Sequence, residues 1–119
     1  LKEIKNKVVK NSKYIYIPSL GNDLFRYLLK KSNFIIGNSS AGVILAPYFK
    51  TPTINIGDRQ SGRVMHKSVI NTDGNISSLI KNFKTINSKS FLNDVRKMKF
   101  ELYKKNQMKV IKKSLHKIL

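Results

Sequence analysis

Short β-branched runs alternate along this sequence with segments of helical spacing, and the alternation leaves few folds open to it. Lys13-Tyr14-Ile15-Tyr16-Ile17 reads as a strand that closes at Pro18. "SLGNDLFRYLLKKS" then reads as a helix capped by Asn22 or Asp23, with Leu24, Phe25, Leu28 and Leu29 inward and Arg26, Lys30 and Lys31 toward water. A second strand, Asn33 to Ile36, carries adjacent bulky apolar residues and is expected to be buried on both faces. A second helix, Ala41 to Phe49, is kinked or shortened by Pro47. "TPTINIG" supplies a third strand with Ile54 and Ile56 on one face and Thr53 and Asn55 on the other, and "SVINTDG" a fourth that turns at Asp73-Gly74. This order predicts an α/β fold, a Rossmann-like parallel sheet with flanking helices.

The remainder reads as helical, from Asn75 or Ile76 to about Phe83 and again from Ser90 onward. Phe91, Val95, Met98, Leu102, Met108, Ile111, Leu115 and Ile118 form a stripe expected to face the core. The 119 residues suit one compact unit, and the start at Leu1 suggests a piece of a longer protein. There is no cysteine, and His66 and His116 do not cluster with carboxylates, so neither a disulfide nor a metal site is expected. No stretch has the length and apolarity of a membrane span or the pattern of a signal peptide, so a cytoplasmic protein without membrane insertion is expected.

The formal charge of +18 invites a polyanion partner. Yet only four of the 24 basic residues are Arg, and abundant Lys, Ile and Asn are what an AT-rich genome produces unaided. Twelve Lys or Arg after position 80 face only Asp94 and Glu101. Aromatic residues do not interleave with this charge as stacking platforms would, so no specific nucleic-acid role is expected.

"GNSSAG", Gly37 to Gly42, joins a strand to a helix where parallel sheets bind ligands. Unpaired N–H groups at a helix start receive phosphate, small side chains admit it, and the hydroxyls of Ser39 and Ser40 add donors. The same residues also suit a plain helix cap, with Ala41 and Gly42 permitting close packing. No lysine follows as in a phosphate loop, and the glycine spacing is not the dinucleotide fingerprint. Downstream, "GDRQSGR" places Arg59 and Arg63 in a glycine-bounded loop after the neighbouring strand, where guanidinium groups could grip a diphosphate or simply be solvated.

The run "GNSSAGVILAPYFKTPTINIGDRQSGR", followed by "SVI", resembles the signature of the hydrolysing UDP-N-acetylglucosamine 2-epimerases, close to GNSSSGIIEAPSFGxPTxNIGDRQxGR. "SLGNDLFRYLLKKSNFIIG" is similar to what precedes it in that family, so the resemblance covers roughly residues 13 to 80. It implies a GT-B-like enzyme of two Rossmann-type domains, with residues 1–119 a part of the C-terminal one ending in a helical segment from about 87. The reaction implied releases UDP and N-acetylmannosamine for sialic or related nonulosonic acids, by elimination and rehydration of a glycal. By matched positions Ser39 and Ser40, with the N–H groups of Ser40 and Ala41, would hold the UDP diphosphate. Asn38, Gly42, Arg59 and Arg63 would lie near the nucleotide.

Two departures qualify the resemblance. Leu45 stands where the family has a glutamate that accepts from the ribose hydroxyls; losing hydrogen bonds of about 1.5–3 kcal/mol would weaken nucleotide binding about ten- to a hundredfold. Tyr103-Lys104-Lys105-Asn106 stands where the family often has Tyr-Gly-x-Gly. The family's catalytic carboxylates and histidine lie in sequence that this chain does not contain. His66 is expected to be an exposed loop histidine, and Asp58 and Asp73 no acid–base pair, so the chain is expected to bind UDP or UDP-N-acetylglucosamine without turning it over. The missing N-terminal domain would be a partner, a homo-oligomer is possible and no cofactor is expected. The alternatives are a degenerate non-catalytic domain or a fragment of another GT-B-type nucleotide-sugar enzyme.

Overall fold

The computed structural model describes residues 11–100 and 106–117. Five helices and three strands occur among them: α1 (Gly21–Lys31), β1 (Ile35–Gly37), α2 (Ser40–Tyr48), β2 (Thr53–Ile56), β3 (Val69–Thr72), α3 (Ile76–Ile86), α4 (Lys89–Lys97) and α5 (Gln107–Leu115). The sheet is parallel in the order β1-β2-β3, with Ile35 opposite Thr53, and Thr53 opposite Val69. Its two faces follow from the pleat. Thr53 faces α2, where its hydroxyl donates to the Gly42 carbonyl at 2.8 Å, and Ile54 lies with Ile36 against Leu79, Ile80 and Phe83 of α3. Phe34 meets Phe83 edge to face at 5.6 Å on that second side. Ile54, Val43, Ala46, Ile86 and Val95 are buried in the core.

Gly42 lets α2 lie close to the sheet, since a Cβ there would stand 2.9 Å from Thr53 Cγ2. Despite Pro47, α2 continues to Tyr48 and ends in a double hydrogen-bonded turn. The Lys50 N–H donates to Pro47 O at 3.0 Å and the Thr51 N–H to Ala46 O at 2.9 Å. That Schellman closure puts Lys50 at φ 57, a position that glycine occupies at less cost. Lys50 Nζ in turn donates to the Arg96 carbonyl at the end of α4. Thr51 Oγ1 donates to Leu29 O at 2.9 Å and ties α1 to the start of β2.

Several expectations are corrected. Residues 13–17 form no strand, and Ile15 is 83% exposed. The Asn11 turn takes the N–H groups of Lys13 and Tyr14 that a ladder would use, and no described strand lies alongside. The second strand is shorter, at the edge of the sheet among the described residues, and not buried on both faces, with Ile36 51% exposed. Leu20 is the N-cap of α1, so Asn22 and Asp23 lie within its first turn, and of the four apolar positions only Leu29 is fully buried. Along the C-terminal stripe Val95 and Met98 are buried, but α5 contains no buried residue, and its Met108, Ile111 and Leu115 are exposed. Leu102, Ile118 and residues 103–105 lie outside the described residues.

Candidate functional site

Gly37 ends β1 with φ 150, a backbone angle that side chains avoid, and frees the chain to turn out of the sheet. Asn38 and Ser39 follow, and α2 begins at Ser40 with its N-terminus beyond the carboxyl end of β1. Ser39 is the cap. Its Oγ accepts from the Ala41 N–H at 3.3 Å and its carbonyl from the Gly42 N–H at 3.0 Å. The plain-cap reading and the phosphate reading therefore compete for one donor. The cap bond is long, and a charged phosphate oxygen would be the stronger acceptor for the same N–H. Ser39 and Ser40 are both exposed, so both hydroxyls are within reach of a ligand.

The loop after β2 does face this one, as parallel pairing of β1 with β2 requires. The contact is made by Gln60, a residue that attention to charge passes over. Its Nε2 donates to the Asn38 carbonyl at 2.7 Å, and the side chain is buried. Arg59 and Arg63 flank it and are both exposed. Turn bonds from Ser61 N–H to Asp58 O at 2.7 Å and from Arg63 N–H to Gln60 O at 3.3 Å shape the loop, with Gly57 and Gly62 at positive φ.

Arg63 also rims an open depression of about 720 Å³ beyond β2 and β3, together with Asp58, Ser61, Asn71 and Asp73. Its floor holds an amide pair in which Asn55 Nδ2 donates to Asn71 Oδ1 at 2.9 Å. Sequence reasoning placed Asn55 on the correct face without assigning it any role. Asp73 is held below the ordinary aspartate range, chiefly because its carboxylate accepts the Asn75 backbone N–H at 3.0 Å. It belongs to the turn into α3. Asp58 and Asp73 thus share a rim, while the serine loop lies beyond β1 on the other side of β2.

Leu45 lies one turn along α2 from Ala41 and lines a separate, mostly apolar cleft of about 420 Å³ with Arg26, Ile44, Tyr48, Phe49 and Phe100. His66 corrects an expectation: it is 4% exposed, stacked on Phe100 with centroids 4.9 Å apart. Packing of the segment after α4 over the loop buries it, a contact that local sequence does not reveal. Among the described residues no group of His, Asp and Glu could hold a metal ion, and no helix is long and apolar enough to cross a membrane.

The profile of the UDP-N-acetylglucosamine 2-epimerase family matches residues 1–116. This chain belongs to that family. Among its curated relatives, a GDP/UDP-N,N'-diacetylbacillosamine 2-epimerase (hydrolyzing) of Campylobacter jejuni is 42% identical over 74% of this chain and 23% of its own length. A UDP-N-acetylglucosamine 2-epimerase of Neisseria meningitidis is 48% identical over 53% of this chain and 17% of its own. The polysialic acid biosynthesis protein P7 of Escherichia coli is 33% identical over 83% and 25% respectively. The epimerase-family chain thus spans about a quarter or less of these relatives.

Proposed function

We propose that this chain supplies the UDP diphosphate site of a hydrolysing UDP-N-acetylglucosamine 2-epimerase of the GT-B type and does not catalyse the reaction alone. The observation that carries the reading is the start of α2 at the carboxyl end of β1, with Ser39 and Ser40 exposed and the arginine loop held against it through Gln60. Diphosphate oxygens accept from the Ser39 and Ser40 hydroxyls and from the first N–H groups of α2, displacing the long Ser39 cap bond at Ala41. Asn38 leads the chain into the helix start, Gly42 lets α2 lie close to the sheet, and Arg59, together with Arg63, offsets the ligand's charge. No described pair of carboxylates converges on this position, and this reading assigns proton transfer at the sugar to residues outside the chain.

The test is a UDP titration of the isotope-labelled chain followed by backbone amide shifts. Perturbation centred on Ser39 to Gly42 and Arg59 is the expected result. Silence throughout a folded chain would overturn the reading. Leu45 supports a second reading, a domain that has lost nucleotide binding, because it presents a hydrocarbon surface in the cleft beside Arg26. Leu45→Glu separates the two: tighter UDP binding, by about tenfold, favours the diphosphate site, whereas no response in either protein favours the degenerate domain.

A further inference from the structure

Gln60 is 3% exposed in a loop whose neighbours Asp58, Arg59, Ser61, Gly62 and Arg63 are all exposed. Its Nε2 reaches across to the Asn38 carbonyl at 2.7 Å, and only the amide nitrogen can serve there, because the partner is a backbone oxygen. Its Oε1 is equally buried and without a partner. Leucine would fill such a position without burying an unpaired Oε1, at the loss of the donor to the Asn38 carbonyl, so hydrophobic packing alone does not account for an amide here.

The Asn38 carbonyl has a particular geometric value. It shares a planar, trans peptide with the Ser39 N–H, and the two groups point in opposite directions. A donor that fixes the carbonyl on one side therefore fixes the Ser39 N–H on the other, at the cap residue of α2. At its other end Gln60 is anchored in the turn that carries Arg59 and Arg63, since its own carbonyl accepts from the Arg63 N–H.

We propose that Gln60 is a positioning residue: its amide clasps the arginine loop to the serine loop and sets the orientation of the Asn38–Ser39 peptide, so that both halves of the diphosphate site are held at one spacing. Its effect on UDP rests on the site proposed above; the clasp itself does not.

The experiment uses the 119-residue chain as wild type, Gln60→Leu and Gln60→Glu, measuring amide hydrogen exchange without ligand and UDP affinity by chemical shift. In Gln60→Leu, exchange at residues 38–41 and 58–63 rises together, about tenfold, while β2 and β3 amides hold, and UDP affinity falls about tenfold. Gln60→Glu adds a pH signature, and it also serves if the leucine variant fails to fold. At pH 7 its carboxylate repels the Asn38 carbonyl and both loops open. Near pH 4 the protonated acid donates again, and exchange returns toward wild type measured at the same pH. Loop exchange indifferent to both substitutions overturns the clasp whether or not UDP binds. Loosened loops with undiminished UDP affinity overturn the positioning role and leave the site standing. A wild-type chain that ignores UDP overturns the site and the positioning role with it, and the exchange data still decide the clasp.

Discussion

Replacing Gly42 by alanine tests the packing that brings the serine loop to the sheet. A methyl group there would stand 2.9 Å from Thr53 Cγ2 and 3.9 Å from Ile35 Cγ2. Thr53 cannot swing away, because it is 1% exposed in the middle of the sheet and its hydroxyl is bonded to the Gly42 carbonyl. Overpacking of this kind costs about 2 kcal/mol. Alanine returns about 1 kcal/mol as the better helix former, leaving a net loss of about 1 kcal/mol. For a chain of this size that lowers Tm by about 3–6 °C. Thermal and urea unfolding followed by circular dichroism measures it. The decisive control is Thr53→Ser, which removes the obstructing methyl and keeps the hydroxyl. In that background Gly42→Ala should become stabilising by about 1 kcal/mol, a coupling of about 2 kcal/mol across the pair. A Gly42→Ala variant at least as stable as wild type, or one indifferent to Thr53→Ser, would refute the argument that close approach requires this glycine.

Lys50→Gly removes a left-handed strain of about 1 kcal/mol and also the tether to the Arg96 carbonyl, so its urea midpoint should stay near wild type. Lys50→Ala, which keeps the strain and loses the tether, should fall by about 1 kcal/mol. Gly74→Ala, at φ 87 with its new Cβ 3.0 Å from Ile56 Cγ2, should destabilise by about 1–2 kcal/mol in the same assay. Asp73 should titrate below the ordinary aspartate range when its carboxyl carbon is followed by NMR. Because its folded pKa is depressed, its contribution is complete above the unfolded aspartate value and is lost as pH falls through the lowered one; Asp73→Asn should flatten that part of the stability profile. His66→Leu should leave the urea midpoint unchanged or raised, since it removes a buried Nε2 that has no partner.

The sequence by itself determined the parallel α/β core, because runs such as Thr53–Ile56 and the helical spacing of Leu24, Phe25, Leu28 and Leu29 state their periods locally. It also determined the family, through a long specific run from Gly37 to Arg63, and that run contains Ser39, Ser40 and Arg59, the lining of the diphosphate site proposed above. Tertiary structure alone decided which side chains meet. Gln60 looked like an ordinary loop residue until the pairing of β1 with β2 set it against the Asn38 carbonyl, and His66 until Phe100 covered it. The reverse errors have the same origin. Residues 13–17 and the stripe on α5 have the right composition for a strand and a buried helix face, but among the described residues the first pairs with no strand and the second stays exposed. Local pattern carries a segment's preference, and contact energy between distant segments decides whether that preference is fulfilled.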